Sequence, residues 1–261
     1  MTSSTSSPLP RPHYELLASL FVYPGVDYAG RAERAVQGLC GRFPEAATQV
    51  QRFLSLLPWR AGASPDQAEL YELQEIYTRS FEVQAMTTLD VGYVCFGDDY
   101  KRAEVLVNLN REHRAAGVDC GLELSDHLPN VLRLLARWND DELAAELVQQ
   151  IVSPAVRQMV TEFDPERMAQ RNALFERHHR TLIESSALRA TMFQHPLAAV
   201  ASVLEAEFGS VESELPQHST DFLRSIKREL EIQERGAGDR PSAQLANVPP
   251  RRQPASARSI T

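Results

Sequence analysis

The sequence predicts an all-α protein, one bundle of about nine or ten helices in a single domain. Three observations point there. Apolar residues recur at i, i+3 and i+4 along nearly all of residues 13–235. Proline, glycine and acidic residues punctuate that pattern where helices start and stop. A single short stretch, Thr87–Phe96 (TTLDVGYVCF), has strand composition. A lone strand would lack a pairing partner, so tertiary context is expected to override it. Residues 1–12, rich in Ser, Thr and Pro, are expected to fray. Residues 236–261 carry four prolines and little that could fill a core, and read as a disordered tail.

The elements follow in order. Leu16, Leu17, Leu20 and Phe21 form a first stripe, stopped by Pro24-Gly25. Ala32, Ala35, Val36, Leu39 and Cys40 form a second, closed by Gly41. Pro44 sits where a first helical turn accepts proline, and Ala46, Val50, Phe53, Leu54 and Leu57 share the face behind it. Ser64-Pro65 with Gln67 reads as a capping box for the stripe Leu70, Leu73, Tyr77, Phe81. Asp98 is the expected N-cap of a helix over 99–116, with Gly117 as its stop. The apolar arc of that helix, Ala103, Val105, Leu106, Val107 and Leu109, predicts deep burial. Asp126 and Pro129 open the helix of Leu128, Val131, Leu132 and Leu135. Leu143, Leu147, Val148, Ile151, Val152 and Met159 belong to a longer one, with a kink expected at Pro154. Met168, Phe175 and Leu182 line the next; Val200, Leu204, Phe208 and then Leu223, Ile226, Leu230 complete the pattern.

Composition narrows the function. With 261 residues, 43% hydrophobic and 24% charged, the chain can bury a sizeable core and is not disordered throughout. The net charge is −8. The tail from Gly236 onward has four arginines against Asp239, a balance of +3, which leaves −11 on the body. Neutralisation of nucleic-acid phosphates is therefore not the expected mode of action. An acidic body suits a basic partner, and equally suits plain solubility. The most apolar run, Leu197–Leu204, is far shorter than the roughly 20 residues of a membrane span, so no stable membrane insertion is expected. The first residues lack a basic stretch followed by an apolar one, and Cys40, Cys95 and Cys120 are scattered. A cytoplasmic protein with no metal and no cofactor is expected.

Enzyme-like constellations are few. Asp126-His127 could orient a general base, but Asp126 is already explained by capping. His178 and His179 point about 100° apart on a helix, a poor geometry for one ion. His113, in a charged run, reads as part of a solvated face. No phosphate-cradling glycine loop is present. The middle of the chain is dense in aromatics (Tyr77, Phe81, Tyr93, Phe96, Tyr100) and acids (Glu82, Asp90, Asp98, Asp99, Glu123, Asp126). Aromatic walls with acidic rims are what a groove for a basic, apolar peptide needs. Core aromatics beside solvated acids would read the same way.

Three of these segments occur in an ordered series: Phe81-Glu82, then Gly97-Asp98-Asp99-Tyr100-Lys101-Arg102, then Asp126-His127-Leu128-Pro129. With their flanks, Tyr77–Val83, Thr87–Gly117 and Leu122–Ala136, they resemble the nitrate reductase molybdenum cofactor assembly chaperones (NarJ type), within the wider group of dedicated molybdoenzyme chaperones. The helical pattern extends the resemblance loosely from His13 to Ser185. Two features depart from it: Ser125 stands where the family often has Pro, and nothing beyond Ser186 matches. The resemblance implies an all-helical cytoplasmic protein without catalytic activity. It would bind the apo catalytic subunit of a molybdenum oxidoreductase, notably its N-terminal segment, and hold it for cofactor insertion. Proteins of molybdenum cofactor biosynthesis are further implied partners. The candidate groove residues are Tyr77, Phe81, Glu82, Tyr93, Phe96, Asp98, Tyr100, Arg102, Glu123, Asp126, His127 and Pro129. The competing expectations are a constitutive scaffold subunit of an oxidoreductase complex and a hydrolase using Asp126 and His127.

Overall fold

The computed structural model describes residues 11–60, 62–179 and 189–210. The elements run α1 (Pro12–Ala18), a 3-10 turn (Ser19–Phe21), α2 (Tyr28–Leu39), α3 (Pro44–Ser55), α4 (Gln67–Phe81), α5 (Val91–Phe96), α6 (Tyr100–Ala115), α7 (Leu128–Arg137), α8 (Asp141–Leu147), a π turn (Val148–Val152), α9 (Ser153–Thr161), α10 (Pro165–His179) and α11 (Gln194–Phe208). α8, the π turn and α9 run on without a break. The described residues thus hold ten helical rods and no strand, the all-α bundle expected. None of these helices is long and apolar enough to cross a membrane. Residues 1–10, Leu182, the stripe Leu223–Leu230, the tail 236–261 and the side chains of His178 and His179 lie outside the described residues.

Helix α11 is the core of the bundle. Leu197, Ala199, Val200, Val203 and Leu204 are all fully buried, as a helix apolar around most of its circumference must be. It packs between α3 and α9, while α1 packs on α7 and α2. A chain of aromatic rings fills the space beside it. Phe193 sits 5.3 Å from Phe53, 5.5 Å from Tyr77 and 5.2 Å from Phe81 between ring centroids. Such tilted and edge-on pairs contribute about 0.5–1.5 kcal/mol each beyond area burial. The region after Ser186, unmatched by the resemblance, thus supplies the central helix.

Several local readings shift. Arg11 and Pro12 belong to the fold: Arg11 N–H donates to the Ala136 carbonyl at 3.3 Å, and Pro12 opens α1. The capping box of α4 is Asp66 with Glu69, each side chain bonded to the other's backbone N–H at 2.9 Å, two residues later than expected. Asp99, not Asp98, caps α6. That helix is not deeply buried: among its 16 residues only Leu109 and His113 are buried, because its main neighbour, α5, is too short to cover it. His113 leaves the solvated face assigned to it; its ring nitrogens lie 2.7 Å from the Leu109 carbonyl and 3.1 Å from that of Asn130. Pro154 does not simply kink a helix. It follows the π turn, where Ser153 N–H reaches back five residues to the Val148 carbonyl.

Two ionic clusters tie the ends of the bundle. Glu207, near the end of α11, accepts the Tyr14 hydroxyl at 2.9 Å and lies 2.7 Å from Arg42 and 3.3 Å from His13. Burial works against its ionisation, but the bonds from His13 and Tyr14 and the charge of Arg42 outweigh it. The carboxyl is held below its ordinary 4.5. Glu162, after α9, is fully buried and holds Arg167 at 2.6 Å and the fully buried Arg171 at 3.2 Å. Burial pulls the Arg171 guanidinium down to about 10 against the opposing Glu162 charge.

Glu162→Ala leaves Arg171 without its counter-charge and is expected to cost about 3–5 kcal/mol in urea unfolding; a loss under about 1 kcal/mol contradicts the assignment. For Glu207, a lowered folded pKa means a stabilisation present in full above pH 4.5 and lost as pH falls through the folded value. Thermal melts should show wild type above Glu207→Gln at neutral pH, with the gap closing on acidification.

Candidate functional site

The strand-like stretch divides at Asp90. Asp90 itself is extended and makes one antiparallel bridge with His127: Val91 N–H donates to the Asp126 carbonyl at 2.9 Å and Leu128 N–H to that of Leu89 at 2.8 Å. From Val91 the chain is helical. α5 ends at Gly97, whose φ of 61° with ψ of −139° is a backbone that favours glycine. Asp99 then caps α6 through Lys101 N–H at 2.9 Å. The tight turn folds the start of α6 back onto the start of α5.

Arg102, in the first turn of α6, is the result. Its Nε donates to Asp126 Oδ2 at 2.9 Å, and its Nη2 donates to Asp90 Oδ2 at 2.9 Å. Its guanidinium also lies over the Tyr93 ring, 5.2 Å from the centroid. Asp90 Oδ1 is 3.1 Å from His127 Nδ1. Gly92 makes the approach possible: a Cβ there would lie 2.6 Å from Asp126 Oδ2. Burial opposes ionisation of Asp90, but His127 and then Arg102 outweigh it, and the carboxyl is held below its ordinary range. Asp126 is pushed up, first by burial and also by the Asp90 charge, against the Arg102 bond. The two carboxylates in turn hold the Arg102 guanidinium protonated, against its own burial.

The candidate residues separate into groups. Asp126 is no helix cap: it is fully buried and faces Arg102, while His127 takes the N-cap position of α7. Asp126 and His127 do not form the dyad read from the sequence; His127 pairs with Asp90, a residue the candidate set omitted. Tyr77 and Phe81 are not groove walls. Both are buried, Tyr77 donating its hydroxyl to the Phe21 carbonyl at 2.8 Å and Phe81 packing on Phe21 and Phe193. Pro129 is buried in the first turn of α7. Tyr93 and Phe96 are half-buried; Glu82, Asp98, Tyr100 and Glu123 are exposed.

Arg102 of the second motif segment meets Asp126 of the third. The buried Tyr77 hydroxyl, one turn before the first, is pushed up first by burial and then by the charges of Glu82 and Glu123 and by Tyr23. Tyr23 meets the Tyr77 ring edge-on at 5.4 Å. Val22, Tyr23, Val83 (next to Glu82), and Leu122 and Leu124 (on either side of Glu123) are exposed, Leu122 completely. Val83, Leu122 and Leu124 thus stand exposed next in sequence to two exposed acids, Glu82 and Glu123. Exposed apolar residues gathered with a polar rim mark interaction sites, whereas single ones need no explanation. Among the described residues no group of three or more His, Cys, Asp or Glu is arranged to hold a metal ion.

Gly92→Ala adds helix propensity to α5 but drives a methyl into the buried Asp126 carboxylate. The expected net effect is a loss of about 1–3 kcal/mol in chemical denaturation; a more stable variant would show that the contact does not decide the position. No protein-family model matches the chain, and no curated protein matches it.

Proposed function

We propose that the chain is a dedicated chaperone that binds the apo catalytic subunit of a nitrate-reductase-like molybdenum oxidoreductase through that subunit's N-terminal segment, before cofactor insertion. Support comes from one observation above all: of the three motif segments spread from Phe81 to Pro129, the second and third are joined by the Arg102–Asp126 bond. Exposed apolar residues flank the exposed acids beside the first and third: Val83 follows Glu82, and Leu122 and Leu124 stand on either side of Glu123. A basic, apolar segment is the ligand those residues suit. Its apolar side covers Val22, Tyr23, Val83, Leu122 and Leu124, at about 25 cal/mol per Å² buried. Its arginines meet Glu82 and Glu123, with about 0–1 kcal/mol for each exposed pair. Apolar area therefore carries affinity, and the acids carry association rate and selectivity. The Arg102 junction holds the loop bearing Leu122–Leu124 in place and need not touch the client.

A peptide of the first residues of the molybdenum catalytic subunit from the same genome, titrated calorimetrically, tests this. Leu122→Asp with Leu124→Asp should abolish detectable binding. Glu82→Gln with Glu123→Gln should weaken it up to roughly thirtyfold, with a flatter salt dependence. Equal affinity across wild type and both variants refutes the site.

A further inference from the structure

A second apolar feature shares no residue with the surface around Tyr77. Because α6 touches the bundle along a narrow line, an open cleft of about 250 Å³ separates it from the α8–π rod. Its walls are Val105 and Leu109 on one side and Leu143, Leu147 and Ile151 on the other, with Trp138 at one end. Glu146 stands on its rim with the Arg111–Glu112 pair, and the exposed Glu142 lies one turn before Glu146. The rim is thus acidic on the α8 side.

The chain leaves the described fold next to this cleft. At the end of α11 the Phe208 carbonyl accepts a bond from Gln149 Nε2 at 3.2 Å, and Gln149 directly precedes Gln150 and Ile151 of the cleft wall. Beyond residue 210 the first apolar run at helical spacing is Phe222, Leu223, Ile226 and Leu230, interleaved with Arg224, Lys227, Arg228 and Glu229, a balance of +2. The intervening 11 residues, 211–221, span up to about 40 Å when extended, ample for a start this close. The sequence beyond α11 therefore offers, within reach, what the cleft lacks: an apolar stripe to fill it and bases for its acidic rim.

We propose that residues 222–230 are the occupant of the α6–α8 cleft in cis, supplying apolar residues for its apolar walls. This contact is independent of client binding. It gives α6 the cover that the helices described here do not provide.

Amide hydrogen exchange on the full-length protein tests it, comparing wild type with Ile226→Asp/Leu230→Asp. In wild type, amides of 222–230 and of the exposed side of α6 should be protected. In the double variant both sets should exchange at least roughly tenfold faster, with the far-UV spectrum otherwise that of the folded bundle. Leu147→Asp, altering the opposite wall, should release 222–230 in the same way. Unprotected amides over 222–230 in wild type overturn the proposal. So does protection that grows with protein concentration, which would assign the cleft to a second copy. Unchanged α6 exchange in the tail variant overturns it as well.

Discussion

Arg102 bridges two carboxylates that lie 36 positions apart in sequence, and the placement of the motif segments depends on that bridge. The segments it joins are short, irregular or thinly covered. α5 is six residues long, the connection before α7 is irregular, and α6 rests on two buried side chains. A hydrogen bond to a charged group contributes about 1.5–3 kcal/mol, but much of that is offset by removing three charges from water. The net gain in stability is therefore modest. The gain in position is larger, because a guanidinium binds its carboxylates in a planar fork of fixed directions. Arg102 accordingly sets the geometry of the turn at Gly97, the bridge at Asp90 and the start of α7 together.

Most of the fold is legible in the sequence because helix punctuation is local. Pro44 and the stop at Gly117 act within a turn of their own positions. Misreadings arise where a residue's role depends on a distant partner. Asp126 stands where an N-cap would, and nothing nearby reveals that its carboxylate is claimed by a guanidinium 24 positions away. Val105, Leu106 and Val107 look like the core of a buried helix, yet burial depends on the length of the neighbour, which a window on α6 does not contain. Tyr77 and Phe81 carry the right chemistry for a groove wall and the right spacing for a core stripe. Phe193, more than a hundred positions on, decides for the core. Gly92 was the one local signal for the junction: a glycine within a β-branched, aromatic run marks a close approach.

Polar groups inside this bundle are unevenly satisfied. Glu162 accepts from Gln158, Arg167 and Arg171. By contrast, Arg79 Nη1 and Arg171 Nε and Nη1 are buried without an acceptor among the described residues. Each such donor forfeits its hydration, at about 1–3 kcal/mol. Arg79 recovers part of this through Asn172, at 2.6 Å, and the ring of Phe175. Between α4 and α10 the Arg79 guanidinium thus makes a directional contact, where an aliphatic side chain would tolerate sliding.

The π turn at Val148–Val152 places one extra residue in a rod that otherwise turns about 100° per residue. The faces before and after it are consequently out of phase: Leu143 and Leu147 look toward α6, while Ala155, Val156 and Met159 are buried against α5 and α11. Cys95 donates its thiol hydrogen to the Ile151 carbonyl, within the very turn whose ladder is disrupted. Deleting a single residue here would restore an ordinary ladder and rotate one half of the rod away from its neighbours. The length of this segment is therefore as much a structural specification as its composition, and an insertion or deletion within it would be felt at both ends of the rod.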